Sequence, residues 1–138
     1  MLSPLRTTAA LVSAAAFLLV PVLANAVPAN AAPADTSLLL TKDGPGVDPV
    51  TGLLPKLITL ACEPTGGTHP TRDDACAVLA KAGGDFNRIE PLHRMCTLNY
   101  APVRASAHGT WRGRPVDWTA MFPNDCAAGS QTDLVFDF

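Results

Sequence analysis

Residues 56–84 read KLITLACEPTGGTHPTRDDACAVLAKAGG, a strand, a loop and a helix in one run. In an extended segment over 56–62, Ile58, Leu60 and Cys62 share one face and Leu57, Thr59 and Ala61 the other. Both faces carry apolar side chains, which predicts a sheet covered by a helix on one side and by something else, such as another subunit, on the other. Pro64, Gly66, Gly67 and Pro70 argue against regular structure in 63–72. Thr71-Arg72-Asp73-Asp74 then fits a capping box, with acidic side chains at the positive end of the helix dipole. Ala75, Val78, Leu79 and Ala82 recur at helical spacing, and Gly83-Gly84 provides the C-cap.

Working outward, Ser37-Leu38-Leu39-Leu40-Thr41 reads as a strand, followed by dense turn chemistry in Asp43-Gly44-Pro45-Gly46 and Asp48-Pro49. Downstream, Val103, Ala105 and Ala107 alternate with Arg104, Ser106 and His108 as in a half-solvated strand. His108-Gly109 is a turn signal, after which Thr110-Trp111-Arg112 returns and Arg112-Gly113-Arg114-Pro115 turns again. Residues 117–121 then predict a short helix before Pro123. Over 133–138 the alternation puts Leu134, Phe136 and Phe138 inward on a final strand. Strands on both sides of a helix, with no internal repeat, give an α+β domain built on an antiparallel sheet.

The first 26 residues stand apart. Arg6 supplies a positive start, 9–23 is an apolar stretch interrupted by Ser13 and Pro21, and Ala24-Asn25-Ala26 is a cleavage motif. A membrane anchor needs about 20 consecutive apolar residues, and this stretch is shorter. The reading is therefore a signal peptide over 1–26, with Ala29-Asn30-Ala31 as a second cleavage motif that moves the end as late as 31. Residues 27–35, rich in Ala, Pro and Asn, form a flexible arm before the domain at 36–138.

Secretion sets the chemistry of the four cysteines. An even count in a small exported domain reads as two disulfides, and four cysteines allow three connectivities. Their separations are far wider than the two to four residues of a zinc-binding cysteine pair, so neither metal nor cofactor is expected. The formal net charge is −2 and the basic residues are scattered, which argues against a nucleic-acid or membrane partner. His69, His93 and His108 are far apart, and no metalloprotease, nucleophile-elbow or phosphate-loop motif occurs. A small secreted hydrolase is the weakest reading, since so small a core leaves no room for a deep catalytic cleft.

Met95-Cys96-Thr97-Leu98-Asn99-Tyr100-Ala101-Pro102 is the segment with functional potential. Thr97 is stiff because it is β-branched. Pro102 fixes its own φ and pushes Ala101 toward an extended conformation. Local pattern leaves two readings equally open: a strand end with Leu98 in the core, or an exposed loop tethered by a half-cystine.

The four cysteine positions, Gly66-Gly67-Thr68-His69-Pro70, Gly83-Gly84-Asp85, the hairpin region around Trp111 and the aromatic carboxyl terminus together resemble the Streptomyces subtilisin inhibitor family, from about 37 to 138. The resemblance implies a five-stranded antiparallel sheet packed with two short helices, and disulfides Cys62–Cys76 and Cys96–Cys126. The first would staple helix to sheet, and the second would anchor residues 95–102. It also implies a secreted inhibitor of subtilisin-like serine proteases, not an enzyme, with Leu98 as specificity residue and Leu98–Asn99 as reactive bond. Chymotrypsin-like enzymes are secondary targets, because a large aliphatic side chain suits an apolar pocket. A homodimer through the sheet faces away from the loop is implied as well.

Two residues depart from the family pattern. Thr97 stands where proline is frequent, and Asn99 is polar where small apolar residues are common, so reduced rigidity and affinity are expected. The alternative is a non-inhibitory secreted binding domain, or a protease substrate, on the same scaffold.

Overall fold

β1 (Thr36–Asp43) and β2 (Lys56–Cys62) form where the period-two alternation places them, pairing antiparallel with Leu38 opposite Leu60 and Leu40 opposite Ile58. The computed structural model describes residues 36–48, 50 and 54–138. The expected signal segment 1–26 (or 1–31), the arm 27–35 and turn positions 49 and 51–52 lie outside the described residues. β3 (Gly66–Gly67), β4 (Val103–Trp111) and β5 (Arg114–Phe122) complete a five-stranded antiparallel sheet in the order β3-β2-β1-β4-β5. With α1 (Arg72–Ala82) and α2 (Asp125–Gln131), the architecture is the α+β one expected. Both disulfides are present, Cys62–Cys76 and Cys96–Cys126.

The core lies on one face of the sheet. Leu38, Leu40, Leu60, Val103, Ala105 and Ala107 are buried there against Ala75, Leu79 and Ala82 of α1, Ala127 and Ala128 of α2, and Phe136. Each fully buried leucine contributes about 1.5–3 kcal/mol. Phe86, in a single 3₁₀ turn, stacks on Trp118 at 5.0 Å, and Phe136 lies 5.6 Å from the same indole. The Gly83 C-cap is left-handed at φ 66°, with its N–H and that of Gly84 donating back to Ala80 and Leu79. This is the expected helix stop.

Several local expectations give way to longer-range geometry. Gly66 and Gly67 do not exclude regular structure but form β3; a Cβ on Gly67 would lie 2.3 Å from the Thr59 carbonyl oxygen, so glycine is what lets the strand approach. The capping box is not made. Thr71 caps with no side-chain bond, and its N–H donates to His69 Nδ1 at 3.1 Å. His69 Nε2 therefore carries the hydrogen and donates to the Val135 carbonyl at 2.9 Å, which makes this loop histidine a buried strut.

His108-Gly109 is no turn. β4 runs through it, and the chain reverses at Arg112-Gly113, both at positive φ (46° and 74°), the two-residue hairpin geometry that matches strand twist. The Arg112 guanidinium is bonded to Glu63 and thereby holds that carboxyl below its ordinary pKa. Residues 117–121 belong to β5 and not to a helix; Val116, Trp118, Ala120 and Phe122 point inward along it. The second helix lies later, at α2. Residues 133–138 form no strand. Asp133 and Leu134 have positive φ, and the Leu134 N–H donates to the Gly129 carbonyl at 2.8 Å, so the tail folds back at the end of α2 and buries adjacent residues, Val135 and Phe136.

Gly109 offers a test of the sheet's tightness. Its φ is 141°, and a Cβ there would sit 2.0 Å from the Ser37 carbonyl oxygen on β1. Gly109→Ala is expected to lower stability by about 1–3 kcal/mol in denaturant titration, the range for overpacking a close contact. An unchanged midpoint would mean that β1 and β4 are not so closely apposed.

Candidate functional site: an outward loop held by α2

Residues 95–102 have no regular structure, and their large apolar side chains point into solvent. Leu98 is 100% exposed, Met95 98% and Tyr100 81%. Of the two local readings, the core strand end is excluded. Three bare apolar side chains in so short a segment are costly unless something covers them.

The backbone that carries them is fixed at both ends. Upstream, the Leu92 N–H donates to the Ser130 carbonyl and the Ser130 hydroxyl donates to the Leu92 carbonyl, each at 2.8 Å. Arg94 reaches Asp137 at 3.1 Å and the Cys126 carbonyl at 3.3 Å. Cys96 is then bonded covalently to Cys126. Downstream, the Ala101 N–H donates to the Pro123 carbonyl at 2.9 Å, the Gly46 N–H donates to the Pro102 carbonyl at 3.4 Å, and Val103 enters the core. Nearly every anchor lies on α2 or beside it. Gly46 can sit against the loop base only because it lacks a side chain, since a Cβ would be 2.4 Å from the Ala101 carbonyl oxygen.

The centre is held from beneath by a residue that sequence reasoning missed. Asn124 is 6% exposed, and its Nδ2 donates to the carbonyls of both Thr97 and Asn99, each at 3.0 Å. These carbonyls flank Leu98. Its Oδ1 accepts the Ala127 N–H at 2.8 Å, so the same side chain caps α2. Below the loop, a cleft of about 330 Å³ bordered by Gly46, Thr97, Asn99 and Asn124 leaves the loop arched. Asn124 spans this gap. The signal was in the sequence as Pro123-Asn124-Asp125, an N-cap residue before an acidic first turn.

A second contact at the start of α2 is also polar. Lys42, fully buried on the core face of β1, is 2.5 Å from Asp125 Oδ1 and 4.7 Å from the Phe138 ring centre. Burial pushes the Lys42 pKa down, and the hydrogen bond and charge of Asp125 oppose that shift. The pair ties β1 to the first residue of α2.

All eight expected loop residues are thus brought together, while Cys62 and Cys76 join β2 to α1 elsewhere. No cluster of histidine, cysteine, aspartate or glutamate able to hold a metal occurs among the described residues.

Known proteins carry the same frame. Residues 34–124 match the subtilisin inhibitor-like family, a span that includes the loop and ends on Asn124. A subtilase-type protease inhibitor of Streptomyces fradiae is 39% identical over 110 residues, covering 78% of this chain and 75% of that protein. Subtilisin inhibitor-like protein 7 of Streptomyces ambofaciens is 39% identical over 107 residues, covering 76% of this chain and 97% of its own. Streptomyces caespitosus sermetstatin, crystallised in complex with Bacillus licheniformis subtilisin, superposes with a TM-score of 0.58 at 29% identity, covering 74% of this chain and 97% of that one. The match over most of the domain, with the shared fold, shows that this chain belongs to the subtilisin inhibitor-like family, one of protease inhibitors and not of enzymes.

Proposed function

We propose that this protein is a secreted inhibitor of subtilisin-like serine endopeptidases, acting as a tight, slowly cleaved substrate through the bond Leu98–Asn99. The observation that carries this reading is a fully outward Leu98 whose two flanking carbonyls are fixed by one buried asparagine. A protease gains rate by binding the transition state better than the substrate. A loop already held in place by its anchors loses little entropy on docking, so a small contact binds tightly. The anchors at Cys96 and Ala101 also keep the ends of a cut bond close, so religation at high effective concentration competes with hydrolysis.

Leu98 fills the main specificity pocket, with Met95, Cys96, Thr97, Asn99, Tyr100, Ala101 and Pro102 contacting the rest of the cleft. An aliphatic side chain suits an open apolar pocket, which makes chymotrypsin-like enzymes secondary targets. It has no cation for the aspartate of a trypsin-like pocket. The signal segment and two disulfides fit an extracellular site of action. The sheet face opposite the core exposes Leu39, Leu57 and Met121, and a second copy of this chain covers it. Sedimentation showing only monomer at micromolar concentration would remove the homodimer.

Stoichiometric loss of subtilisin activity on titration is the expected result; rapid degradation would identify a substrate and no effect a non-inhibitory binding domain. Catalytic subtilisin at mildly acidic pH should yield one nicked species with the new amino terminus Asn-Tyr-Ala-Pro-Val, its pieces joined until the disulfides are reduced. Leu98→Lys should confer trypsin inhibition and weaken subtilisin binding by about tenfold, while stability moves by no more than about 0.5 kcal/mol. Retained subtilisin specificity in that variant would put the pocket-filling residue elsewhere.

A further inference from the structure

The two residues that depart from the family pattern touch each other. Thr97 Oγ1 donates a hydrogen bond to Asn99 Oδ1, linking the two residues on either side of Leu98. The same two residues are joined a second time from below, where Asn124 bonds both of their carbonyls. A proline at 97 has no hydroxyl and an apolar residue at 99 has no acceptor. The departures therefore work as a pair, and the expectation that each weakens the loop considers them singly.

We propose that Thr97 and Asn99 form a side-chain clasp across the reactive bond, positioning the cut ends for religation and so slowing net hydrolysis. This rests on Leu98–Asn99 being the bond attacked. After attack, Leu98 is held as an ester of the protease serine and Asn99 begins with a free amine. In the reverse step the amine nitrogen attacks the ester carbon, the new C–N bond forms as the C–O bond breaks, and the amine proton passes through the protease's general base to the serine oxygen. Water attacking the same carbon gives a Leu98 carboxylate instead. Downstream of the cut, Asn124 holds the Asn99 carbonyl and the Ala101 N–H is bonded to Pro123, while the Cys96–Cys126 disulfide ties the upstream piece to α2 on the downstream one. The clasp runs directly from one piece to the other. In free solution so exposed a bond adds little, but a docked protease excludes water and strengthens it. The effect therefore falls on cleavage rather than on folding.

The test is a double-mutant cycle on the full mature chain with Thr97→Val, Asn99→Leu and both, plus Thr97→Ser as the conservative rescue. Nicking between Leu98 and Asn99 by subtilisin is followed by mass spectrometry, with thermal unfolding in parallel. Thr97→Val and Asn99→Leu should each raise the nicking rate about tenfold, equivalent to about 1.4 kcal/mol. The double variant should be no faster than either single one, Thr97→Ser should stay within about twofold of wild type, and thermal midpoints should not move. Effects that multiply in the double variant, or an unchanged rate in Thr97→Val, overturn the clasp while leaving the inhibitor reading standing. Wild-type protein cut elsewhere, with Leu98–Asn99 intact, overturns the reactive-bond reading and the clasp with it.

Discussion

Asn124→Ala is expected to turn a slowly cleaved inhibitor into an ordinary substrate, with affinity for subtilisin falling by about a hundredfold and nicking accelerating in step. The variant loses two hydrogen bonds to the loop and the side-chain cap of α2. At about 1–1.5 kcal/mol each, the two loop bonds total about 2–3 kcal/mol, and each 1.4 kcal/mol is tenfold in affinity, while the lost cap costs about 1 kcal/mol of stability. Capping and clamping separate in a second variant. Asn124→Asp keeps an oxygen for the Ala127 N–H and is an equally good N-cap. It loses both donors, however, and presents a carboxylate oxygen to the Thr97 and Asn99 carbonyls. Stability should stay within about 1 kcal/mol of wild type, measured by denaturant titration, while inhibition fails as in the alanine variant. An Asn124→Asp protein that inhibits like wild type would reduce Asn124 to a helix cap.

Asn124 also shows where the sequence was legible. β1, β2 and the first half of β4 stand where period two puts them, because alternate residues along each enter the core. Helix α1 ends at the glycine pair for the same local reason. The misread segments are those whose conformation is set by distant neighbours. Gly109 resembles a turn residue until Ser37 is seen to need the space its side chain would occupy. Residues 117–121 carry Thr119 and Ala120 without a helical apolar repeat, and pairing with β4 makes them a strand. α2 spans seven residues, including Gly129 and Ser130, too short and too weak in propensity to announce itself except through its cap. The loop was placed by the cysteines, but its support was not, since Asn124 and Thr97 lie 27 positions apart in sequence. Lys42 was discoverable in principle. Parity with Leu38 and Leu40 puts it on the buried face of β1, where a lone cation demands a partner.

That partner sets the other large expectation. Asp125→Ala leaves the buried Lys42 charge uncompensated and should cost about 2–4 kcal/mol, somewhat below the 3–5 kcal/mol of a fully buried pair because 42% of the Asp125 side chain is exposed. Lys42→Met should stay within about 1 kcal/mol of wild type, since methionine can pack on Phe138 and the orphaned carboxylate can turn to water. The asymmetry distinguishes a costly buried charge from a bond that stabilises by itself. It also has a pH signature. Burial lowers the Lys42 pKa from 10.5, and Asp125 partly restores it. Between the folded-state pKa and 10.5 the unfolded chain binds more protons than the folded one, so this group's contribution to stability rises with pH across that window. Removing Asp125 lowers the folded-state pKa further and widens the window, so the deficit of Asp125→Ala should be largest near neutrality and shrink as pH approaches 10.5. Lys42→Met should show no such recovery. Denaturant titrations of both variants at neutral and alkaline pH read the difference directly, and a deficit in Asp125→Ala that stays constant with pH would mean that Lys42 carries no charge penalty in the folded protein. Because Asp125 adjoins Asn124 and Cys126, the recovery should extend to function: subtilisin inhibition by Asp125→Ala, weak where α2 frays, should return toward wild type as alkali discharges Lys42.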